Sequence, residues 1–406
     1  MPRRDTRLLA FPFVNRLLHW AAVGLMTSVL SLMVLSRGVE LSSLGALMGF
    51  ASLVVVLLEF PSGILSDLMG RKRIYLISIG FSLLARAGLL AARGFWPVAL
   101  AFSMYSISRA LSSGSIEASY IDDYIDARGK EDLHRLMGAM NAGDTIGLAA
   151  GAFLGGILPM AWDRWFPGSN RYDGNLLAQI AVLVALAAFT GLTAKERQRP
   201  AGPRERILPY VRETLAVMIR NPILLALAIG SWVWGFAFSS IEMLWQPRLK
   251  DILGSESQSW IFGLVNGLYY LAALGGVLLF EALAGLRKIR PFPALAAFRA
   301  ACGLLILVLA AQTAPLPFGF FYLLMFAFNG AAGIPEGTAF NAEVPEARRS
   351  SLLSLVSLLL QLGGAAGSLA FGALAGRMGI PWAWAVAGAG FALSSLLYLR
   401  LRPRRD

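Results

Sequence analysis

Glu59-Phe-Pro61-Ser-Gly63-Ile-Leu-Ser-Asp67-Leu-Met-Gly70-Arg71-Lys72-Arg73 links an apolar run near 42–66 to a second near 74–92. Three consecutive basic residues between two such runs mark a short loop at a membrane surface. A topogenic loop accounts for the Arg and Lys but not for the placed Gly and Asp. Gly63 and Gly70 permit a close helix approach and a tight turn, and Asp67 is an anion able to meet a neighbouring helix N-terminus. Arg71 is expected to reach an acid at the cytoplasmic end of the fourth apolar run. Such a contact would latch one conformation and break in another.

Outward from this loop the same pattern repeats. Apolar runs lie near 12–36, 42–66, 74–92, 96–120, 135–160, 175–194, 222–246, 258–284, 291–312, 316–341, 350–376 and 380–400. Each is near the roughly 20 residues that a bilayer-crossing helix needs. With 57% hydrophobic and 15% charged residues in a 406-residue chain, a water-facing surface of matching size cannot be made. The expected fold class is therefore an all-α membrane protein of twelve transmembrane helices. Cys302 is the single cysteine, which excludes an intrachain disulfide and a cysteine metal cluster. The first run, spotted with Asn15, Arg16 and His19, is too long and polar for a cleaved signal peptide.

Of the 36 Lys and Arg residues, 26 fall in the termini and the even-numbered connections, 7 in the odd-numbered connections, and Arg86, Arg109 and Arg299 inside runs. Basic residues stay on the cytoplasmic side, so both termini are expected there, in a multi-pass inner-membrane protein. The net charge of +12 then reflects topology and contact with anionic membrane lipids, and no nucleic-acid partner is expected. The longest connection divides the chain into bundles at 1–194 and 222–406, with a linker at 195–221. Within the linker, Ile207 to Ile219 has apolar residues at helical spacing, fitting a surface helix; a solvated linker fits as well.

The halves echo each other at an offset of 216 to 219 residues. Gly147 and Gly151 correspond to Gly363 and Gly367, Gly114 and Glu117 to Gly333 and Glu336, and Arg71-Lys72 to Arg287-Lys288. Internal duplication of this kind is a mark of secondary transporters. The loop quoted above resembles the G-x-L-a-D-r-x-G-R-k-x signature of the major facilitator superfamily, with its E-x-P-[TS]-G lead-in. The fifth run, Gly138-x8-Gly147-x3-Gly151-Ala152-x2-Gly155-Gly156, is similar to that superfamily's antiporter signature at every glycine, with Ala152 in place of its proline. Glycines at intervals of four make a smooth face for close helix packing. The resemblance implies two pseudo-symmetric six-helix bundles working by alternating access, in the manner of a bacterial drug or metabolite exporter. The missing proline keeps import open.

Charges inside the runs suggest chemistry. Arg109 stands where the superfamily's second motif carries a basic residue, and an unpaired guanidinium there costs at least about 2.5–3.5 kcal/mol. Asp144, at matching depth, is the expected partner, with Glu59 at a similar depth. Glu59, Arg109 and Asp144 are thus candidates for proton coupling, and a structural ion pair is the competing account. Arg86 and Arg299 are expected to snorkel or pair, and His19 to tether helices. A substrate cavity is expected to draw Arg109 and Glu117 from the first half and Trp234, Phe238 and Glu336 from the second. Its aromatic wall suits hydrophobic cargo, and Glu336 would favour a positive group.

The sequence has no G-x4-G-K-[ST] loop for ATP, no H-E-x-x-H or G-x-S-x-G motif and only two histidines. No enzyme activity, cofactor or metal is expected, and an ion gradient is the expected driving force. The reading is a monomeric secondary transporter exporting a hydrophobic or amphipathic small molecule against protons or another coupling ion. An importer or symporter of a metabolite, and a lipid-handling or non-transporting receptor on the same fold, are the alternatives.

Overall fold

A computed structural model describes residues 3–113, 115–129, 132–196, 207–286, 290–345, 348–399 and 401. Sixteen helices follow one another: α1 Arg3–Thr27, α2 Leu30–Ser36, α3 Leu41–Met69, α4 Arg71–Ala91, α5 Phe95–Ser112, α6 Ser115–Arg128, α7 Leu133–Trp165, α8 Asp173–Thr193, α9 Ile207–Arg220, α10 Pro222–Leu253, α11 Trp260–Leu286, α12 Pro291–Ala310, α13 Pro315–Glu343, α14 Arg349–Met378, α15 Ile380–Ser394 and α16 Leu396–Leu399. No strand occurs among the described residues. In a bilayer every backbone N–H and C=O must be satisfied inside its own segment, which the helix does. Eleven stretches are each long and apolar enough to cross a membrane. The remaining crossing is made by α5 and α6, interrupted after Ser113. The fold is thus an all-α membrane protein with twelve transmembrane crossings, six in each pseudo-symmetric half. Leu57, Leu192 and Leu316 are among the large apolar side chains left on its surface, as a lipid-facing wall requires.

Local signals set the helix ends. Gly70 joins α3 to α4 at φ 96°, a conformation that L side chains rarely adopt, and the Glu196 carboxylate lies where a Cβ would go. Asn221 caps α10, its side-chain oxygen accepting from Ile223 N at 2.9 Å and Leu224 N at 3.3 Å, with Pro222 opening the first turn. Residues Ile207–Arg220 of the linker form the helix α9. Its Met218 packs among Ile223, Leu224 and Leu352, while Leu215 and Ile219 stay exposed.

The described chain forms two compact units. The first comprises Met1–Glu40, Val54–Gly202 and Glu256–Gly267, and the second Leu41–Leu53, Pro203–Ser255 and Leu268–Asp406. They depart from a simple division into chain halves at residues 41–53, the opening turns of α3, and at 256–267, which run from before α11 into its first turns.

In the first unit α1 lies along α7. Cβ positions built on Gly143, Gly147, Gly151 and Gly155 would run into the carbonyl oxygens of Phe13, Leu17, Ala21 and Leu25. Both strips advance by four residues per step, so the backbones touch where side chains would ordinarily hold them apart. Gly156 faces Gly263 of α11, and Asn266 donates to Thr27 Oγ1 at 2.8 Å and Ser28 Oγ at 3.2 Å. α8 is fastened by Asn175, which donates to the Leu25 and Gly155 carbonyls at 2.8 and 2.7 Å. Gln179 adds a bond to Ala22 O at 2.6 Å.

The second unit repeats the device. Gly363 and Gly367 of α14 meet the Trp232 and Phe236 carbonyls of α10, and Gly372 faces Gly45 of α3. Gly147, Gly151 and Gly156 each recur 216 residues later. The duplication read from the sequence is therefore a repeated packing relation as well as a repeated pattern.

Candidate functional site

Polar residues within the crossings of the first unit converge on Arg16 of α1. Its Nε and Nη2 donate to the two carboxylate oxygens of Asp144 on α7, each at 2.6 Å. Its Nη1 lies 3.5 Å from Glu117 Oε2 on α6. The side chains are 17%, 24% and 35% exposed for Arg16, Asp144 and Glu117 respectively, so the acid farthest from the guanidinium is the most accessible. Next to Arg16, Asn15 donates to Thr190 Oγ1 at 2.8 Å and accepts from the Tyr75 hydroxyl at 3.3 Å. His19 Nδ1 is 3.1 Å from that same hydroxyl. This chain of contacts joins α1, α4 and α8.

The expected pairing of Arg109 with Asp144 is corrected here. Asp144 is taken by Arg16, and the exposed guanidinium of Arg109 makes no ion pair among the described residues. The reason is the α1–α7 glycine contact, which brings Arg16 opposite the first turns of that strip. Matched depth along two helices says nothing about which faces meet. Glu59 is half-buried on α3, and its carbonyl accepts from Ser62 Oγ at 2.8 Å. Arg86 lies 4.3 Å from the Tyr105 ring centroid, a cation–π contact that offsets part of its desolvation.

At the loop motif, Arg71 donates to Asp122 Oδ2 on α6 at 2.8 Å. Lys72 donates to Gly191 O at 2.8 Å, and Arg73 N to Glu196 Oε2 at 3.2 Å. Gly63 and Asp67 lie on α3, with the side chain of Asp67 outside the described residues. Gly114, Arg287 and Lys288 of the sequence echo are also outside them. Among the antiporter-like glycines, Gly147, Gly151 and Gly155 meet α1 and Gly156 meets α11, whereas a Cβ on Gly138 would meet nothing.

In the second unit, Glu336 on α13 accepts from Arg299 Nη2 of α12 at 2.6 Å. Arg299 is only 4% exposed, and its Nε and Nη1 have no hydrogen-bond partner among the described residues. Glu336 thus neutralises a buried cation, and the positive-cargo preference inferred from it loses its basis. Phe238 is also corrected. At 1% exposure it is a core residue, edge-on to Phe326 and Phe391. Trp234 stacks on it at 4.8 Å and donates to Asn329 Oδ1 at 2.7 Å, leaving a half-buried indole with its polar edge engaged.

Sequence reasoning passed over two further pairings. Arg37, counted as a loop charge, is fully buried and paired with Asp173. Tyr172 donates to Glu256 Oε2 at 2.5 Å, and Arg171 lies 3.5 Å from the same oxygen. Burial and the adjacent Glu256 carboxylate push the Tyr172 phenol above its usual range, so it remains a donor. Arg16 itself had a signal, since Asn15, Arg16 and His19 interrupt an otherwise apolar run.

The sequence matches the profile of the Major Facilitator Superfamily over residues 13–342. No curated relative matches the chain in sequence. Among solved structures, the nucleoside transporter NupG is similar at a TM-score of 0.77 and 13% identity, over 97% of this chain and 100% of that one. A bacterial homolog of the human lysosomal transporter Spinster, in an inward-facing and unoccupied conformation, matches at 0.71 and 18% identity, with 100% of each chain covered. A POT family transporter in complex with 5-aminolevulinic acid matches at 0.74 and 12% identity, over 96% and 95%. At these identities the structures support the fold alone. A profile match across most of the chain, the twelve crossings and the duplicated glycine contacts agree: the chain belongs to the Major Facilitator Superfamily.

Proposed function

We propose that this transporter exports a hydrophobic or amphipathic small molecule in exchange for protons, with bundles 1–194 and 222–406 alternating in access about the linker 195–221. The observation that carries the coupling is the intramembrane cluster Arg16–Asp144–Glu117, in which two carboxylates share one guanidinium. Charged groups held inside crossings mark ion pathways and proton relays. The sequence carries no phosphate-binding loop, so a gradient is the available source of energy. The glycine face of α7 supports export, and the half-buried Trp234 supports aromatic cargo. In this reading the protein is a monomer of the inner membrane with both termini cytoplasmic, as the distribution of basic residues favours. The Arg71–Asp122 pair, with Gly63, Asp67 and Gly70, acts as the conformational latch.

Import is the second reading, favoured by Ala152 in place of the antiporter proline. Inverted membrane vesicles with an imposed pH gradient, loaded against a panel of hydrophobic fluorescent cations and neutral aromatics, separate the two. Accumulation inside, abolished by an uncoupler, is the expected result. Movement of no compound in that panel, or movement indifferent to the gradient, overturns proton-coupled export.

A further inference from the structure

We infer that Glu117 is the proton-binding group of the first unit, with the Asp144 carboxylate committed to Arg16 through two hydrogen bonds. The inference deepens the proton-coupled reading and rests on it for its role in transport, though not for its geometry. Arg16, Asp144 and Glu117 together hold one positive and two negative charges. Asp144 lies eleven residues from Leu133, the nearer end of α7, and Glu117 is the third residue of α6. At 1.5 Å per residue that puts Asp144 about 16 Å along the axis, and the shared Arg16 guanidinium holds Glu117 near the same level. An uncompensated charge at that depth is costly, and one proton removes it.

Geometry decides which acid takes the proton. Asp144 receives two short hydrogen bonds from Nε and Nη2 of Arg16, the forked arrangement that a guanidinium makes best. Protonating it would sacrifice both. Glu117 has a single approach from Nη1 at 3.5 Å, beyond the usual N–H···O range, and is the more exposed of the two. Protonating it loses one long attraction.

Among the described residues the neighbouring elements bring no second cation into ion-pair contact with Glu117. α4 contributes Arg71, which is committed to Asp122, and Tyr75, whose hydroxyl is bonded to Asn15. α1 contributes His19 beside Tyr75, and α5 contributes Arg109, exposed and in no ion pair among the described residues. α7 contributes Asp144. On α6 itself Tyr124 donates to Asp132 O and is turned toward the helix end.

The test requires no cargo. Infrared difference spectra of the purified protein in lipid are recorded between acid and alkaline pH, with ¹³C-labelled glutamate to identify the carbonyl stretch of a protonated side chain. A glutamate band should appear on acidification, vanish in Glu117→Gln and persist in Asp144→Asn. Glu117→Asp guards against a folding artefact, since its band should respond to labelled aspartate instead. A glutamate band unchanged in Glu117→Gln, or abolished in Asp144→Asn, overturns the assignment. Proton binding at Glu117 without gradient-driven movement in vesicles would leave the site standing and sink the coupled-transport reading.

Discussion

Arg16 and Asp144, 128 positions apart in the chain, are joined by two parallel 2.6 Å hydrogen bonds between α1 and α7. Both side chains keep some access to solvent, so part of the attraction is screened. Neutralising either alone leaves the other without its two hydrogen bonds, whereas after neutralising both no half of the pair is left behind. We expect Arg16→Gln and Asp144→Asn to lower stability individually more than in combination, with a coupling of about 1–3 kcal/mol. A double-mutant cycle by thermal unfolding in detergent checks this. Arg109→Gln paired with Asp144→Asn should show additive effects.

The Arg71–Asp122 contact should matter to turnover more than to folding. Arg71→Ala and Asp122→Asn are each expected to cut transport several-fold at unchanged surface level. Arg71→Lys should do so less, since a point charge keeps part of the attraction. Asp67→Asn is expected to behave like Arg71→Ala. Rates per molecule in vesicles, normalised to immunoblot, give the answer, and wild-type turnover in all of these would rule out a latch.

Two glycines of one motif should respond in opposite ways. Gly147→Ala pushes a methyl group into the Leu17 carbonyl and should cost about 1–3 kcal/mol. Gly138→Ala meets open space and removes a flexible residue from a helix, so it should be neutral or stabilising by up to about 1 kcal/mol. Melting temperatures of the two purified variants check the contrast.

Glu336→Gln should destabilise the second unit without altering preference between cationic and neutral aromatic compounds. Removing one partner of a buried pair typically costs about 3–5 kcal/mol, and Arg299 has no other acid in ion-pair contact among the described residues. Matched competition assays, with melting curves alongside, separate the two effects. A loss of cation preference in this variant would restore Glu336 as a cargo contact.

The Tyr172–Glu256 contact carries a pH signature. Because the phenol is raised above its unfolded value of about 10, the folded state holds the proton more tightly. Its contribution is therefore constant below pH 10 and declines as pH rises beyond it. Wild-type melting should lose more stability between pH 9 and 11, on the order of one unit either side of that value, than Tyr172→Phe does. Parallel curves for the two proteins would contradict it.

The packing of this fold was more legible in sequence than its contacts were. Glycines spaced by four specify a backbone-level surface, so Gly147 and Gly151 could be placed on a helix interface, and their recurrence at Gly363 and Gly367 gave the pseudo-symmetry. Azimuth could not be read. Arg109 and Asp144 matched in depth, but which face α5 turns to α7 depends on all neighbouring helices at once. Phe238 failed for the same reason, since spacing puts it on the face of Trp234 without saying that the face is core. Arg16 was hidden by its own position, because a basic residue near a terminus is first explained by topology. Tyr172 and Glu256 lie in separate loops with no shared pattern, and only the folded chain brings them within reach.

The interlocking of α1 with α7 also limits how this pair of helices can deform. Glycines and opposing carbonyls repeat every fourth residue on both sides, so axial sliding restores the fit only after a full step of about 6 Å. Smaller displacements would drive backbone against backbone. The two helices should therefore travel as one rod in any conformational cycle, and strain should appear at their ends. A single-residue insertion between Phe13 and Leu25 would turn the rest of α1 by about 100° and spoil every later contact. A four-residue insertion would approximately preserve the fit, which makes an insertion scan a ruler for this contact.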